Sequence, residues 1–335
     1  MISSMPSFIS YLAQLVGKPV LIAVLINAVL NYKSLPFAWS IRIAWGYYGH
    51  YWMDRRPGPR ATLPESSPDP ETPILTLFQP TIYTTTTPPG DADFYLHKSN
   101  STYLTDLDVA RGYHVFSIFR EGFRRGGHAG GGQPGPALAG TACIYRRPIA
   151  PLARVEIWTR LLAWDAKWIY LVSHFVQPGS VRPGRFADQP WRNKKVPAGG
   201  MKGERGVLRA AQAEGEVNAA ICATCISKYV LKQGRKTVSP YEFLQVAGLL
   251  PVAPAAAAET EAQAGGLRSR FPAGEGDVGG GSDGQVREIL RRIEERRLKG
   301  LALADHMAAL DAGHQWFNAS EEEEGDNGPV VFAKY

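Results

Sequence analysis

The sequence predicts an α+β fold in which a curved antiparallel sheet wraps one central helix, with an apolar anchor at the N-terminus. Three observations support this class. A β-branched and aromatic segment at residues 74–87 has the composition of a strand. Residues 101–119 repeat apolar side chains at spacings of three and four, as a helix does. Four strand-like segments follow, and a single helix bracketed by strands is typical of an α+β domain.

Residues 1–56 are predicted to attach the chain to a membrane. Lys18 is the one charged side chain up to Tyr32, and residues 8–30 come close to the roughly 20 apolar residues that cross a bilayer. Because Lys18 and Pro19 interrupt this run, four interpretations stay open: a kinked transmembrane helix, a shallow or re-entrant anchor, a cleaved signal peptide, and an apolar helix docked on the globular domain. The aromatic residues that follow suit the headgroup level; they are Trp39, Trp45, Tyr47, Tyr48, Tyr51 and Trp52.

The arginines around and after this aromatic segment predict the orientation. Arg42, Arg55, Arg56 and Arg60 lie on its carboxyl side or within it. Positive residues next to a membrane segment tend to stay in the cytosol. We therefore expect a membrane-associated protein whose catalytic domain faces the cytosol.

Composition divides the remaining chain into four parts. Residues 57–73 are a Pro-rich linker, and residues 74–250 are the compact domain, with a hairpin turn at Asp165 and Ala166. Residues 251–284 are rich in Ala and Gly, which predicts a disordered linker because they cannot bury enough surface. Residues 285–335 comprise a helix that docks loosely or recruits a partner, followed by an acidic tail.

Charge and cysteine content restrict the partners. The formal net charge of +6 favours an anionic partner, such as a phosphorylated molecule or an acidic membrane surface. No basic-aromatic module of a known type occurs, so nucleic acid is not a predicted partner. The 3 cysteines are too few for a disulfide framework and indicate a reducing compartment. Cys222 and Cys225 form a C-x-x-C within a strand pattern, where they point to opposite faces, so no metal site is predicted.

The predicted central helix carries one arginine on its apolar side. On a helical wheel, Arg111 lies among Leu104, Leu107 and Ile118. A buried guanidinium needs a paired anion, and Asp108, one turn earlier, is within reach. We therefore predict an Asp108–Arg111 clamp that fixes the helix against the sheet.

The segment before this helix has a different character. Asp91, Asp93, His97 and Asn100 fall in a turn between a strand and a helix N-terminus. Free N–H groups and the positive end of the helix dipole favour an oxyanion there. Hydrolysis of a thioester needs such donors and a carboxylate that activates water or attacks directly. For Asn100 a helix N-cap is an equal alternative, and for Asp91 a solvated turn residue is preferred.

The run Asp91-Ala-Asp93-Phe-Tyr-Leu-His97-Lys-Ser-Asn100-Ser-Thr-Tyr103 resembles the D-x-D-x-x-x-H-x-N-N-x-x-Y signature of hotdog-fold acyl-CoA thioesterases of the 4-hydroxybenzoyl-CoA thioesterase type. With the apolar N-terminus, it is similar to a membrane-anchored branch that includes fungal secondary-metabolite members. The resemblance implies a hotdog fold over about residues 73–250 and a homodimer with acyl chains near its interface. It also implies that no cofactor is needed.

The resemblance further implies the roles of single residues. Asp93 matches the catalytic carboxylate, His97 and Asn100 its polar partners, and Tyr103 the aromatic residue at the helix start. Ser101 would contribute a substrate-contacting amide at the helix N-terminus. This sequence departs from the signature at Ser99, which replaces the first Asn of the pair, and at Tyr95, where carrier-protein thioesterases tend to have Asn. The departures leave room for a domain that binds thioesters but hydrolyses them slowly.

A basic loop at residues 181–209 could contact the substrate. Arg192, Lys194 and Lys195 could pair with CoA phosphates, or the loop could meet anionic lipid or only solvent. The main hypothesis is a thioesterase acting on an acyl-CoA or a carrier-protein-bound acyl or polyketide thioester. One alternative is a catalytically weak acyl-binding or scaffold protein, and another is a hotdog dehydratase.

Overall fold

The computed structural model describes residues 5–54, 76–126, 132–180, 187, 219–250 and 282–309. Four predicted segments lie wholly or mostly outside these residues: the linker at 57–73, the basic loop, the linker at 251–284 and the acidic tail.

Two helices and two short turns form the N-terminal part. Helix α1 is Met5–Leu30, and helix α2 is Ala38–Tyr47. A 3-10 turn, Tyr32–Ser34, precedes α2, and a π-helical turn, Tyr48–Met53, continues it. In the part of the chain that the structure describes, no helix combines the length and apolar content that spanning a bilayer requires.

One antiparallel sheet forms the scaffold. Its strand order is β1-β3-β4-β5-β2, and β6 pairs with β5 beside this path. The strands are Thr81–Thr86 (β1), Gly135–Tyr145 (β2), Arg154–Trp164 (β3), Trp168–Val176 (β4), Ile221–Gln233 (β5) and Lys236–Val238 (β6).

The four strands predicted after the central helix are confirmed as β2 to β5. The turn between β3 and β4 is held by Asp165, whose Oδ1 accepts the N–H groups of Lys167 and Trp168 at 2.7 Å each. The first predicted strand is too long. Residues 76–77 form a helical turn, and pairing with β3 begins only after Pro80, which has no N–H to give to a ladder.

The central helix α3, Asn100–Ile118, lies across one face of the sheet and is followed by helix α4, Arg120–Arg125. Its contacts run from the edge strand β1 to the central strand β4. The His114 Nδ1 atom is 3.1 Å from Thr81 Oγ1 on β1, and the Tyr103 ring centroid is 4.8 Å from that of Phe175 on β4. The predicted hotdog arrangement, a sheet around one central helix, is confirmed.

The N-terminal part packs against α3 through α2 and the π-helical turn, and attachment of residues 1–56 to a membrane stays a prediction. The Tyr47 ring meets Phe116 edge to face, with centroids 5.0 Å apart, and Tyr51 belongs to the main core. A Cβ atom at Gly46 would lie 2.6 Å from the Tyr113 ring, so glycine permits the close approach of α2. Long-range packing of this kind leaves no local pattern in the sequence.

Helix α5, Pro240–Val246, and helix α6, Ser282–Ala308, complete the domain. Helix α6 packs along β3, and its Ile289 and Ile293 lie in the main core. Arg297 Nη1 donates to the Trp164 carbonyl at 2.7 Å. The prediction of a loosely docked helix is therefore wrong, because α6 contributes buried side chains to the domain.

The structure also pairs two of the cysteines. Cys143 on β2 and Cys225 on β5 lie opposite each other as a disulfide, with Cα atoms 4.1 Å apart. Three cysteines, few and odd in number, predict no disulfide framework. The two cysteines are 82 positions apart in the chain, and they meet because the register of β2 against β5 places them opposite each other.

Candidate active site

The loop that precedes α3 folds back on itself as a small hairpin. A 3-10 turn, Pro89–Asp91, leads into it, and Ala92 bridges to Lys98 across its base. The Asp93 N–H donates to the His97 carbonyl at 2.8 Å, and Leu96 adopts a left-handed conformation with φ of 59°. We call residues 92–98 the Asp93 loop. Its closed base fixes where the predicted catalytic carboxylate lies.

Backbone amides of the same loop orient the Asp93 carboxylate. Its Oδ1 atom accepts the N–H of Tyr95 at 2.9 Å and, more weakly, the N–H of His97 at 3.4 Å. Asp93 is half-buried, and His97 is exposed beside it. The carboxylate is thus held in place without being removed from the surface.

The first turn of α3 follows the Asp93 loop directly. Ser99, not Asn100, is the N-cap, since Ser99 has extended angles (φ −62°, ψ 140°) and Asn100 begins the helix. Asn100 and Ser101 are exposed. The first N–H groups of a helix have no partner within it and lie at the positive end of its dipole. The Ser99 N–H donates to the Asp91 carbonyl at 2.7 Å, which ties the helix start to the loop.

The predicted site residues therefore divide into three groups. Asp93, His97, Asn100 and Ser101 lie together in the loop and first helical turn. Tyr103 is buried in the core beneath them, so it supports the site and is not at its surface. Burial and the neighbouring Cys222 and Tyr145 raise the pKa of its hydroxyl. Arg192, Lys194 and Lys195 lie outside the described residues.

Asp108 and Arg111 form an ion pair, with Arg111 Nη2 2.5 Å from Asp108 Oδ1. Arg111 Nη1 also donates to Thr141 Oγ1 on β2 at 2.6 Å and to Ser227 Oγ on β5 at 2.9 Å. The guanidinium is buried and joins α3 to two strands. This geometry is that of a structural clamp.

A group of buried charges that the sequence does not predict lies beneath the Asp93 loop. Asp91, predicted to be solvated, is only 7% exposed and its Oδ2 atom lies 3.0 Å from Lys98 Nζ. Asp106 is fully buried and meets the same lysine at 2.9 Å. One signal was present: Asp106 lies three residues after Tyr103 and directly before Leu107, on the buried arc of α3.

The sequence model of the thioesterase-like superfamily matches residues 87–243. The chain is 31% identical over 299 residues to the probable thioesterase atnL of Emericella nidulans, covering 84% of this chain and 83% of that protein. It is 31% identical over 255 residues to thioesterase poxG of Penicillium oxalicum, covering 73% and 72%. The crystal structure of YbaW, a probable thioesterase from Escherichia coli, covers 50% of this chain and 97% of its own, with a TM-score of 0.33 and 12% identity.

The chain belongs to the thioesterase-like superfamily. It is a thioesterase, an enzyme that hydrolyses thioesters, and the family resemblance drawn from the Asp93 motif is confirmed. The comparisons give no support to the scaffold alternative.

Proposed function

We propose that the protein hydrolyses a fatty-acyl or polyketide thioester of CoA or of a carrier protein, with Asp93 as the catalytic carboxylate. One observation carries this proposal: two amides hold the Asp93 carboxylate in the loop that directly precedes α3 in the chain. A carboxylate and free amide donors are the two parts that thioester hydrolysis needs. The basic residues Arg192, Lys194 and Lys195 would add contacts to CoA phosphates.

In the proposed reaction, Asp93 removes a proton from water as the water oxygen bonds to the thioester carbonyl carbon. The N–H groups of Asn100 and Ser101 donate to the oxyanion that forms. The C–S bond then breaks, and the leaving thiolate takes up a proton, giving a free thiol and a carboxylic acid. Direct attack by Asp93 followed by hydrolysis of the anhydride yields the same products. In this proposal His97 and Asn100 are the polar partners of Asp93.

Replacement of Asp93 by Asn in the full chain tests the proposal. Release of free thiol from a panel of acyl-CoA and acyl-carrier-protein thioesters is measured for both proteins. We expect kcat to fall by about 100-fold or more, as for loss of a general base. Asp165→Asn is a matched control, because Asp165 also holds a turn through two backbone N–H groups but lies in the β3–β4 hairpin. Full activity of Asp93→Asn would refute the assigned role.

We further propose a homodimer formed through β2. Among the described strands, β2 pairs only with β5, so its other edge is open. Its 11 residues include no charged side chain, and Ile144 is 67% exposed. An open, uncharged edge strand favours pairing with a second chain. The Tyr145 hydroxyl donates to the Asn100 carbonyl at 3.2 Å, so this edge borders the start of α3.

Light scattering on a size-exclusion column tests the dimer. Wild-type protein is expected at twice the mass of one chain, and Ile144→Lys is expected to shift it toward one chain mass. A wild-type monomer at micromolar concentration would contradict the proposal.

We also propose that the protein attaches to a membrane through α1, with the thioesterase domain on the cytosolic side. The support is a row of exposed apolar side chains on the described half of α1, namely Val20, Leu21, Ile22, Val24, Leu25, Ile26 and Val29. Apolar surface of this extent is typical of an interaction site.

Vesicle flotation tests the attachment. The full chain is mixed with vesicles of phosphatidylcholine and phosphatidylserine, and Leu25→Asp with Val29→Asp should abolish flotation. Leu303→Asp on α6 is the control, because it adds a charge at another exposed leucine. Unchanged flotation of the α1 variant would exclude this surface as the anchor.

A further inference from the structure

Five charged side chains meet in the interior beneath the Asp93 loop. The carboxylate of Asp106 is the centre of this buried charge cluster. Its Oδ2 atom lies 2.7 Å from Lys33 Nζ and 2.9 Å from Lys98 Nζ, and its Oδ1 atom lies 2.7 Å from Arg42 Nη2. Asp91 completes the cluster, with its Oδ2 atom 3.0 Å from Lys98 Nζ and 3.5 Å from Lys33 Nζ.

Three of the five members are almost completely shielded from water, and the side chains of Asp91 and Arg42 are 9% and 14% exposed. The side chains of Lys33 and Lys98 are 2% and 0% exposed, and that of Asp106 is 1% exposed. Burial opposes ionisation of Asp106, but the charges of Lys33, Lys98 and Arg42 outweigh it and lower the pKa of this carboxyl. Because buried charges are costly without partners, each member depends on the others.

The members come from three separate parts of the chain. Lys33 and Arg42 belong to the N-terminal part, and Asp106 lies on α3. Asp91 directly precedes the Asp93 loop, and Lys98 is its last residue. Lys33 contacts Asp91 and Asp106, the two carboxylates that also contact Lys98. Its Nζ atom also donates to the carbonyl of Thr86, at the end of β1, at 2.5 Å.

Two neighbours of Lys33 touch the base of the loop independently. Asn31 Oδ1 accepts the Gly90 N–H at 2.5 Å, and Ser34 Oγ donates to Asp91 Oδ1 at 3.3 Å. A Cβ atom at Gly90 would lie 2.7 Å from Asn31 Oδ1, so the two segments are in close contact. Residues 31–34 thus line one side of the loop base.

We propose that Lys33 is a positioning residue for the reaction assigned to Asp93, and that it makes the N-terminal part a component of the active site. This inference rests on the proposed role of Asp93. Lys33 holds Asp91 and Asp106 in the positions in which both accept Lys98, and this keeps the Asp93 loop closed at its base. A small displacement of a catalytic group can cost about 100-fold in rate. Lys33 itself does not touch the substrate.

The test is Lys33→Met in the full chain, with Lys236→Met on the exposed part of β6 as the matched control. Hydrogen exchange, read by mass spectrometry on peptides covering residues 90–100, reports whether the loop base opens. We expect at least about tenfold faster exchange there, because the Ser99 N–H donates to the Asp91 carbonyl at this base and the Lys98 N–H donates to the Ile149 carbonyl. Peptides from residues 107–118 should be unchanged, as should all peptides of the control.

Kinetics supply the second readout. We expect kcat of Lys33→Met to fall by about 10-fold to 100-fold while KM changes by less than about threefold, since geometry and not binding is altered. Faster loop exchange with unchanged kcat would overturn the positioning role, and unchanged exchange would overturn the inference altogether. If Lys33→Met does not fold, Asn31→Ala takes its place and should also speed hydrogen exchange in residues 90–100, by a smaller factor. Unchanged exchange in Asn31→Ala would likewise overturn the inference.

The two assays distinguish a failure of the proposed thioesterase function from a failure of the role proposed for Lys33. If wild-type protein releases no thiol from any thioester, the proposed function fails, and the exchange rates alone decide whether Lys33 holds the loop. If wild type is active and Asp93→Asn is inactive, but Lys33→Met behaves as wild type in both assays, only the inference about Lys33 fails.

Discussion

The clamp at Arg111 offers a quantitative test of how burial changes the value of an ion pair. Arg111→Met removes three hydrogen bonds, to Asp108, Thr141 and Ser227, from a guanidinium whose side chain is 4% exposed. Breaking a buried pair costs about 3–5 kcal/mol. Asp108 is 34% exposed and regains water, and Met fills part of the volume. We therefore expect the free energy of unfolding to fall by about 2–3 kcal/mol.

Urea denaturation followed by circular dichroism measures this change as a shift of the midpoint at constant slope. Arg291→Met is the matched control, because Arg291 pairs with Glu288 at the same three-residue spacing and a distance of 2.8 Å, but both side chains are largely exposed. Its midpoint should not move measurably. Equal effects of the two substitutions, or a loss below about 1 kcal/mol at Arg111, would refute the argument that burial and the sheet contacts set the strength of the clamp.

Two further predictions concern pH and packing. Burial lowers the pKa of His114 from 6.5 to about 3, so the folded protein keeps a neutral imidazole while the unfolded chain takes up a proton. Stability should therefore fall as pH drops from about 6.5 toward 3, by about 1.4 kcal/mol per pH unit for this group, and His114→Gln should flatten that slope in urea titrations at several pH values. A Cβ atom at Gly300 would collide with the Leu162 carbonyl, so Gly300→Ala should lower the free energy of unfolding by about 1–3 kcal/mol and expose α6 to limited proteolysis. Gly17→Ala, where the space is open, should not destabilise the protein, and equal effects at the two glycines would contradict the packing argument.

The limits of the central helix and the identity of the loop before it could be predicted closely. The prediction of a helix at residues 101–119 differs from α3 by one residue at each end. Apolar periodicity over five turns is a strong local signal, and helix ends are usually uncertain by a residue or two. The grouping of Asp93, His97 and Asn100 was also visible, because all three lie within eight consecutive positions.

The roles of individual acids were harder to predict. The pairing of Asp108 with Arg111 follows from helical spacing alone. The burial of Asp91 and Asp106 does not, because their partners include Lys33, which is 73 positions away from Asp106. A residue that looks like a solvated turn acid becomes a buried one only when another part of the chain covers it.

The sequence by itself determined the order of strands and helices, the position of the Asp93 loop before α3, and the thioesterase family. These are carried by neighbours in the chain, whose spacing fixes hydrogen bonding and amphipathic faces. The tertiary structure alone decided that residues 31–54 pack on α3, that Cys143 meets Cys225, that α6 is part of the core, and that a buried charge cluster underlies the site. Each of these depends on which segments, distant in the chain, bury their surfaces against one another. A local sequence pattern does not contain that information.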